Sequence, residues 1–281
     1  MTAATKNNKG KPYSLARSRR IIQRLAVVGA FTIGLRHILP GESGVGGSFD
    51  AFCVFGGVET FLPCLFKGST LKATNLLNFT MLLGALGVSL VAGRAFCGWL
   101  CPLGAVQDMF AGWVRRLSGG ENHIRGKRSQ ARFPLTLPPA ADKPLRYAKY
   151  LVLVVILIAS LYTVYPPLHE FCPMRAVFSL NLTPLLWAVL VLFIVGALLV
   201  ERFWCKYFCP LGALLAIFNK ISPVRIVSSD HCNNCGRCDI ECSMAIEDVP
   251  LNLNNPECVR CMECLETCAR DGSLELKVLK P

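Results

Sequence analysis

Four stretches of this chain are long and apolar enough to cross a lipid bilayer, which takes about 20 residues. They are Ile21–Leu39, Leu76–Phe96, Tyr147–Tyr165 and Pro184–Phe203. In lipid every backbone N–H and C=O must be satisfied within the protein, so such stretches are restricted to helices. The third contains YLVLVVILIASLY, without one charge. The first carries Arg24, Arg36 and His37 near its two ends, where long side chains can reach the headgroups. It lacks a small-residue cleavage site and reads as a span, not as a removable leader. Of 281 residues, 53% are hydrophobic and 17% charged, against about 25% charged in soluble domains. Disorder and an ordinary soluble domain are both excluded. Fifteen cysteines in a chain this long do not fit a short, loop-rich disulfide scaffold. The net charge of +12 comes with apolar runs that a nucleic-acid binder does not need, so no nucleic-acid partner is expected.

Lysine and arginine set the orientation. Residues 1–20 hold Lys6, Lys9, Lys11, Arg17, Arg19 and Arg20, with no acid. Residues 106–146 hold Arg115, Arg116, Arg125, Lys127, Arg128, Arg132, Lys143 and Arg146. The intervening loops carry only Lys67, Lys72 and Arg175. Both termini and the middle loop are therefore expected in the cytoplasm, with basic segments against lipid headgroups. The chain divides into a basic N-terminus (1–20), a first membrane hairpin (21–105), a basic loop (106–146), a second hairpin (147–225) and a soluble tail (226–281).

The two hairpins repeat one another. The run from Arg94 to Ala105, RAFCGWLCPLGA, aligns with that from Arg202 to Ala213, RFWCKYFCPLGA, at an offset of 108. Arginine, both cysteines, proline and Leu-Gly-Ala recur in register. Cys53 and Cys172 occupy similar settings in the outer loops. Two homologous hairpins about a pseudo-two-fold axis along the membrane normal account for this. Ala85, Ser89 and Gly93 stand four apart, which permits close helix packing or is ordinary small-residue content.

The tail changes character, with ten acids against five Lys/Arg. It contains Cys232-x2-Cys235-x2-Cys238-x3-Cys242 and Cys258-x2-Cys261-x2-Cys264-x3-Cys268. This doubled spacing resembles the bacterial two-cluster ferredoxin. Three cysteines two apart wrap one corner of a [4Fe–4S] cubane, and the fourth, past a turn, reaches the other cluster. The expected sets are Cys232, Cys235, Cys238 and Cys268, and Cys258, Cys261, Cys264 and Cys242. A pair of structural zinc sites is the competing reading. Ser243 and Ala269 replace the usual proline after the fourth cysteine, which touches the turn but not the ligands.

Cys97/Cys101 and Cys205/Cys209 lie at the cytoplasmic ends of the second and fourth spans, each pair at i, i+4. Pro102 and Pro210 start new helices, expected as interfacial helices over Leu103–Leu117 and Leu211–Ile221. The four cysteines can ligate a further iron–sulfur centre, exchange electrons as dithiols or simply pack. Cys53 and Cys172 can complete a ligand set only if their loops fold deep, as the apolar Val54–Phe66 allows where protein covers it. Cys64 has no repeat partner and is expected to pack. Glu59 is either a functional acid within an apolar segment or a headgroup contact, and Arg36 and His37 are further quinone or proton candidates. Arg94 and Arg202 either stabilise anionic clusters or reach headgroups. With four histidines in the chain and at most one in a span, bis-His haem ligation is not expected.

The four spans, two C-x3-C-P motifs and the doubled tail motif together resemble the NapH-like membrane ferredoxins, and the membrane parts of NosR-type and CcoG-type proteins. The resemblance covers about residues 20–270. It implies an all-α domain of four transmembrane helices, in two repeated hairpins, followed by an α+β two-cluster ferredoxin-like domain. It also implies a multi-pass protein of a bacterial or archaeal cytoplasmic membrane. The expected function is electron transfer between membrane quinone or quinol and a protein redox partner, such as a further ferredoxin or a reductase subunit, in a quinol-dehydrogenase-type complex. Electron donation for maturation of another respiratory enzyme, and membrane thiol/disulfide exchange, are the alternatives.

Overall fold

Helix breaks at the cysteine motifs shape the whole molecule. The computed structural model describes residues 15–36, 53–68, 76–117, 138–162, 171–178, 183–249, 251, 253, 255–268 and 273–278. Long helices α1 (Leu15–Arg36), α3 (Leu76–Ala92), α6 (Pro139–Tyr162) and α8 (Pro184–Leu199) form from the four apolar stretches. Between them lie α2 (Val54–Lys67), α4 (Ala95–Trp99), α5 (Pro102–Leu117) and α7 (Pro173–Phe178). After α8 follow α9 (Phe203–Tyr207), α10 (Pro210–Ala216) and α11 (Phe218–Ile221). Among the described residues one helical segment, Ala140–Tyr162, is long and apolar enough to cross a membrane by length and composition. Helix α1 is long but charged at its start, and α3 and α8 have 17 and 16 residues.

The second and fourth stretches end earlier than their hydropathy suggests. The chain turns at Gly93, whose φ is 56°, and at Arg202, whose φ is 51°. Each turn opens a five-residue helix that carries the first cysteine of a motif, Cys97 in α4 and Cys205 in α9. The second cysteine then precedes a proline that starts the next helix. Proline suits that first position, because its missing N–H would have had no intrahelical partner. Cys209 caps α10, its sulfur accepting a bond from Gly212 N at 3.4 Å. The glycine of each Leu-Gly-Ala leaves room for the preceding turn. A Cβ on Gly104 would stand 2.7 Å from Cys97 O.

The helices after the prolines, expected at the interface, pack against the bundle, while α5 keeps Met109, Trp113 and Leu117 exposed. Leu103, Gly104, Ala105, Gln107 and Ala111 of α5 are buried, as are six of the seven residues of α10. Helix α2 packs on α3 and α6 and reaches α10, so the Val54–Phe66 segment folds into the bundle. Cys64, expected to pack, is exposed. Ala85 and Ser89 are buried along α3. Several helices show apolar residues outward: Leu83, Leu90 and Val91 on α3, Leu151, Val154, Val155 and Ile158 on α6, and Trp187, Val191, Leu192 and Val195 on α8. Apolar faces of this extent mark a partner or lipid surface.

The tail is tied at its ends by an antiparallel pair, β1 (Val224–Ser228) with β2 (Leu274–Val278), in the register Val224↔Val278 to Ser228↔Leu274. Between the strands lie α12 (Arg237–Ile240) and α13 (Glu263–Thr267), packed on each other. The loop 255–264 seats directly on the helical part. Trp99 Nε1 donates to Arg260 O at 2.9 Å, and Gly98 faces Val259 O. In the second repeat the position of Gly98 is Lys206, so only the first repeat offers a bare surface there. A Cβ at Gly98 would stand 2.3 Å from that carbonyl, whereas one at Gly84 meets nothing within 4 Å. Gly98→Ala is therefore expected to lower stability by about 1–3 kcal/mol through overpacking. Gly84→Ala should be neutral, or stabilising by up to about 1 kcal/mol. Thermal unfolding of the two detergent-solubilised variants checks this.

Candidate functional site

The tail motifs repeat in backbone as well as in sequence. At an offset of 26, from Cys232 to Cys258, the left-handed residues recur: Asn234 and Arg260 both at φ 49°, Gly236 at 71° and Met262 at 64°. Left-handed conformation is unfavourable for arginine and methionine, and its recurrence at matched positions marks a site where structure is held under strain. Alternation of right- and left-handed residues turns successive N–H groups toward one point and makes an anion-binding concavity. Each motif then enters a short helix, α12 or α13, and Cys242 and Cys268 follow these helices. Burial and the neighbouring thiols Cys261, Cys258, Cys242 and Cys238 raise the Cys264 thiol, and Cys258 is likewise raised by burial and by Cys242. Cys242 thus stands with the second motif, across from its own. Cys238 has Cys235 and Cys232 as neighbours.

The C-x3-C-P cysteines converge from the two repeats. Burial, then Cys205 and Cys97, push the Cys101 thiol up to about 12. Burial with Cys205, Cys97 and Cys101 raises Cys209 well above its ordinary value. Gln107 Nε2 donates to Cys205 Sγ at 3.2 Å. Among the described residues, no three His, Cys, Asp or Glu side chains converge on a single metal-ion position.

Two buried arginines surround these thiols, and each crosses to the other repeat. Arg202 binds Asp108 of α5 through Nε at 2.7 Å and Nη2 at 2.6 Å. Gln23 and Arg19 complete the environment of that carboxylate. Arg94, fully buried, reaches α10, where a Cβ on Gly212 would stand 2.8 Å from its Nη2. The residue equivalent to Asp108 in the second repeat is Ala216. The carboxylate for Arg94 comes instead from the tail: Nη1 meets Glu257 Oε2 at 3.1 Å, and Lys149 pairs with the same carboxylate. Among the described residues, Arg94 Nε and Nη2 have no hydrogen-bond partner. Four thiols beside a buried guanidinium with spare donors suit an anionic thiolate-bound cluster.

The other expected site residues are distributed differently. Cys53 and burial raise the Cys172 thiol well above its ordinary value, and both cysteines pack on the apolar cluster that includes Cys97 and Cys209. Glu59 is 2% exposed, inside the bundle. Arg36 ends α1, and His37 lies outside the described residues. Sequence reasoning missed Asn219 of α11. Its Oδ1 accepts from Arg94 N at 2.8 Å, and its Nδ2 donates to Pro256 O and Cys258 O at 3.0 and 2.7 Å. It welds the break after α3 to the tail loop, and no motif announces it.

A model of the 4Fe-4S binding domain matches this chain twice, over residues 74–120 and 180–227. These stretches hold the two C-x3-C-P motifs. The uncharacterized protein MJ0750 of Methanocaldococcus jannaschii is 29% identical over 78% of this chain and 84% of its own length. The putative electron transport protein YccM of Escherichia coli is 28% identical over 80% of this chain and 65% of its own. For the ferredoxin-type protein NapH of the same organism the figures are 28%, 65% and 62%. No solved structure matches.

Asp108 offers a pH test. Burial alone would raise its carboxyl, but Arg202 and Arg19 more than offset this and hold it below the ordinary value. A carboxyl depressed in the folded state stabilises fully above its unfolded value of about 3.9 and progressively less as pH falls through the folded one. Asp108→Asn should lower the thermal midpoint at pH 7, and the gap to wild type should shrink as pH falls below about 4. Parallel melts at both pH values check this.

Proposed function

We propose that this chain, which is homologous to the NapH- and NosR-type ferredoxin proteins, is a membrane-embedded iron–sulfur protein that passes electrons between quinone and a protein redox partner. The observation that carries this reading is the adjacency of two thiolate stations. The C-x3-C-P thiols share Arg94 with Glu257, and Glu257 is joined directly to Cys258 of the tail.

A bound [4Fe–4S] cluster supplies one-electron redox chemistry. Cys232, Cys235, Cys238 and Cys268 would hold one cluster, and Cys258, Cys261, Cys264 and Cys242 a second. Cys97, Cys101, Cys205 and Cys209 would hold a third, between the repeats. The chain's own residues supply the rest. Arg94 and Arg202 place positive charge beside the thiolates. Gln107 and Gly212 donate to the sulfurs of Cys205 and Cys209, and such bonds tune a cluster's potential. Hydrogen bonds from Trp99 and Asn219 to the carbonyls of Arg260 and Cys258 seat the loop 255–264 at the join.

The outward apolar faces of α3, α6 and α8 support a four-span fold in the bilayer, with α2 dipping into it. Buried Glu59 is the candidate proton-handling group for a quinone, since an acid among apolar helices is functional by default. The acidic tail surface suits a partner with a basic docking face.

Anaerobic protein reduced by dithionite and freed of excess reductant should be reoxidised by a short-chain quinone, with recovery of the visible iron–sulfur absorbance. Clusters that stay reduced under excess quinone would contradict the quinone reading.

A further inference from the structure

The two motif arginines are equivalent in sequence and differently engaged. Arg202 spends its fork within the repeats: Nε and Nη2 bind Asp108 at 2.7 and 2.6 Å, and Nη1 reaches Cys97 O at 3.5 Å. Arg94 makes its side-chain bonds through Nη1 alone, to Pro256 O and Glu257 Oε2, each at 3.1 Å. Its Nε and Nη2 are buried without an acceptor among the described residues. We propose that Arg94, and not Arg202, donates through Nε and Nη2 to a cluster held by the C-x3-C-P cysteines, and that this contact raises the cluster's reduction potential.

The spare donors lie against the cysteine turn of the other repeat. An ideal Cβ on Gly212 would stand 2.8 Å from Arg94 Nη2 and 3.7 Å from Cys209 Cβ. Gly212 N in turn donates to Cys209 Sγ at 3.4 Å. The guanidinium therefore occupies the space that a side chain at Gly212 would take, beside the start of α10. The first repeat has no such arrangement. At Gly104, the matching position, the three nearest atoms belong to Cys97 and Cys101, and none to an arginine. Arg94 is held from both ends: Asn219 Oδ1 accepts from its backbone N at 2.8 Å, and the tail takes its Nη1. A fully buried donor without an acceptor costs free energy, and such a group in a native fold calls for a ligand or a function. A thiolate or sulfide sulfur beside Cys209 supplies the acceptor.

Reduction adds one electron, and so one negative charge, to a cluster. Hydrogen-bond donors and positive charge at its sulfurs favour that more negative state and raise the potential. Arg202 carries the same charge, but its donors are taken by Asp108. The inference rests on the reading of a third cluster between the repeats, and iron content tests that reading separately.

The test uses the full chain, purified anaerobically in detergent. Iron and acid-labile sulfide are counted, and each cluster's midpoint is read by EPR during a dithionite titration. The centre between the repeats is the signal lost, with about four irons, in Cys209→Ala. Arg94→Lys keeps the charge and removes the fork; it should keep the wild-type iron content and lower that midpoint. Gly212→Ala, whose methyl displaces the guanidinium, should lower it too, and it decides the matter if Arg94→Lys loses iron. Arg202→Lys should leave the midpoint above that of Arg94→Lys. Glu257→Gln loosens the tail join but keeps the donors of Arg94, so it should not lower the midpoint. If it lowers the midpoint as Arg94→Lys does, the arginine only anchors the tail and the proposal fails. A wild-type midpoint in Gly212→Ala also overturns the proposal. Wild-type protein with about eight irons and no third signal overturns the third-cluster reading itself.

Discussion

The carboxylate of Glu257 lies between the guanidinium of Arg94 and the ammonium of Lys149, with all three side chains shielded from solvent. A buried charge left alone costs several kcal/mol, so loss of Glu257 would strand two buried cations. Arg94 comes from the break after α3, Lys149 from α6 and Glu257 from the tail. One carboxylate thereby fixes the tail against both hairpins, one residue before Cys258. Asn219 reinforces the same join from α11. The position of the tail, and the closeness of its second motif to the C-x3-C-P thiols, follow from that arrangement.

The pseudo-symmetry of the hairpins is broken where the tail docks. Arg202 finds its acid within the repeats, at Asp108. Arg94 cannot, because Ala216 occupies the matching place. Gly98 presents bare backbone to the tail where the second repeat carries Lys206. Two substitutions between otherwise parallel motifs are enough to make the first repeat the docking surface for the tail and to leave the second paired within the repeats.

Much of this was legible in the sequence. The tail spacing, the repeat and the four apolar stretches are local patterns, and each appears as a distinct structural unit. Helix ends were less legible. Hydropathy runs through Ala95-Phe96 and through Val200, but Gly93 and Arg202 turn the chain there, and no apolar average registers a single backbone dihedral. The prolines announced the helices after Pro102 and Pro210, but not how closely their small residues let them pack against the bundle. The burial of Glu59 was not legible either, since it follows from the packing of α2 on α3 and α6. Asn219 and Glu257 were invisible because their work depends on partners more than thirty residues away.

The strained, left-handed residues of the tail loops and the unpaired donors of Arg94 share one explanation. Both are costs that bound anionic clusters, as proposed above, would offset. The most direct measurement is iron and acid-labile sulfide per chain in anaerobically purified protein. Three cubanes require about twelve of each. A value of about eight would confine the clusters to the tail and contradict a third centre between the repeats.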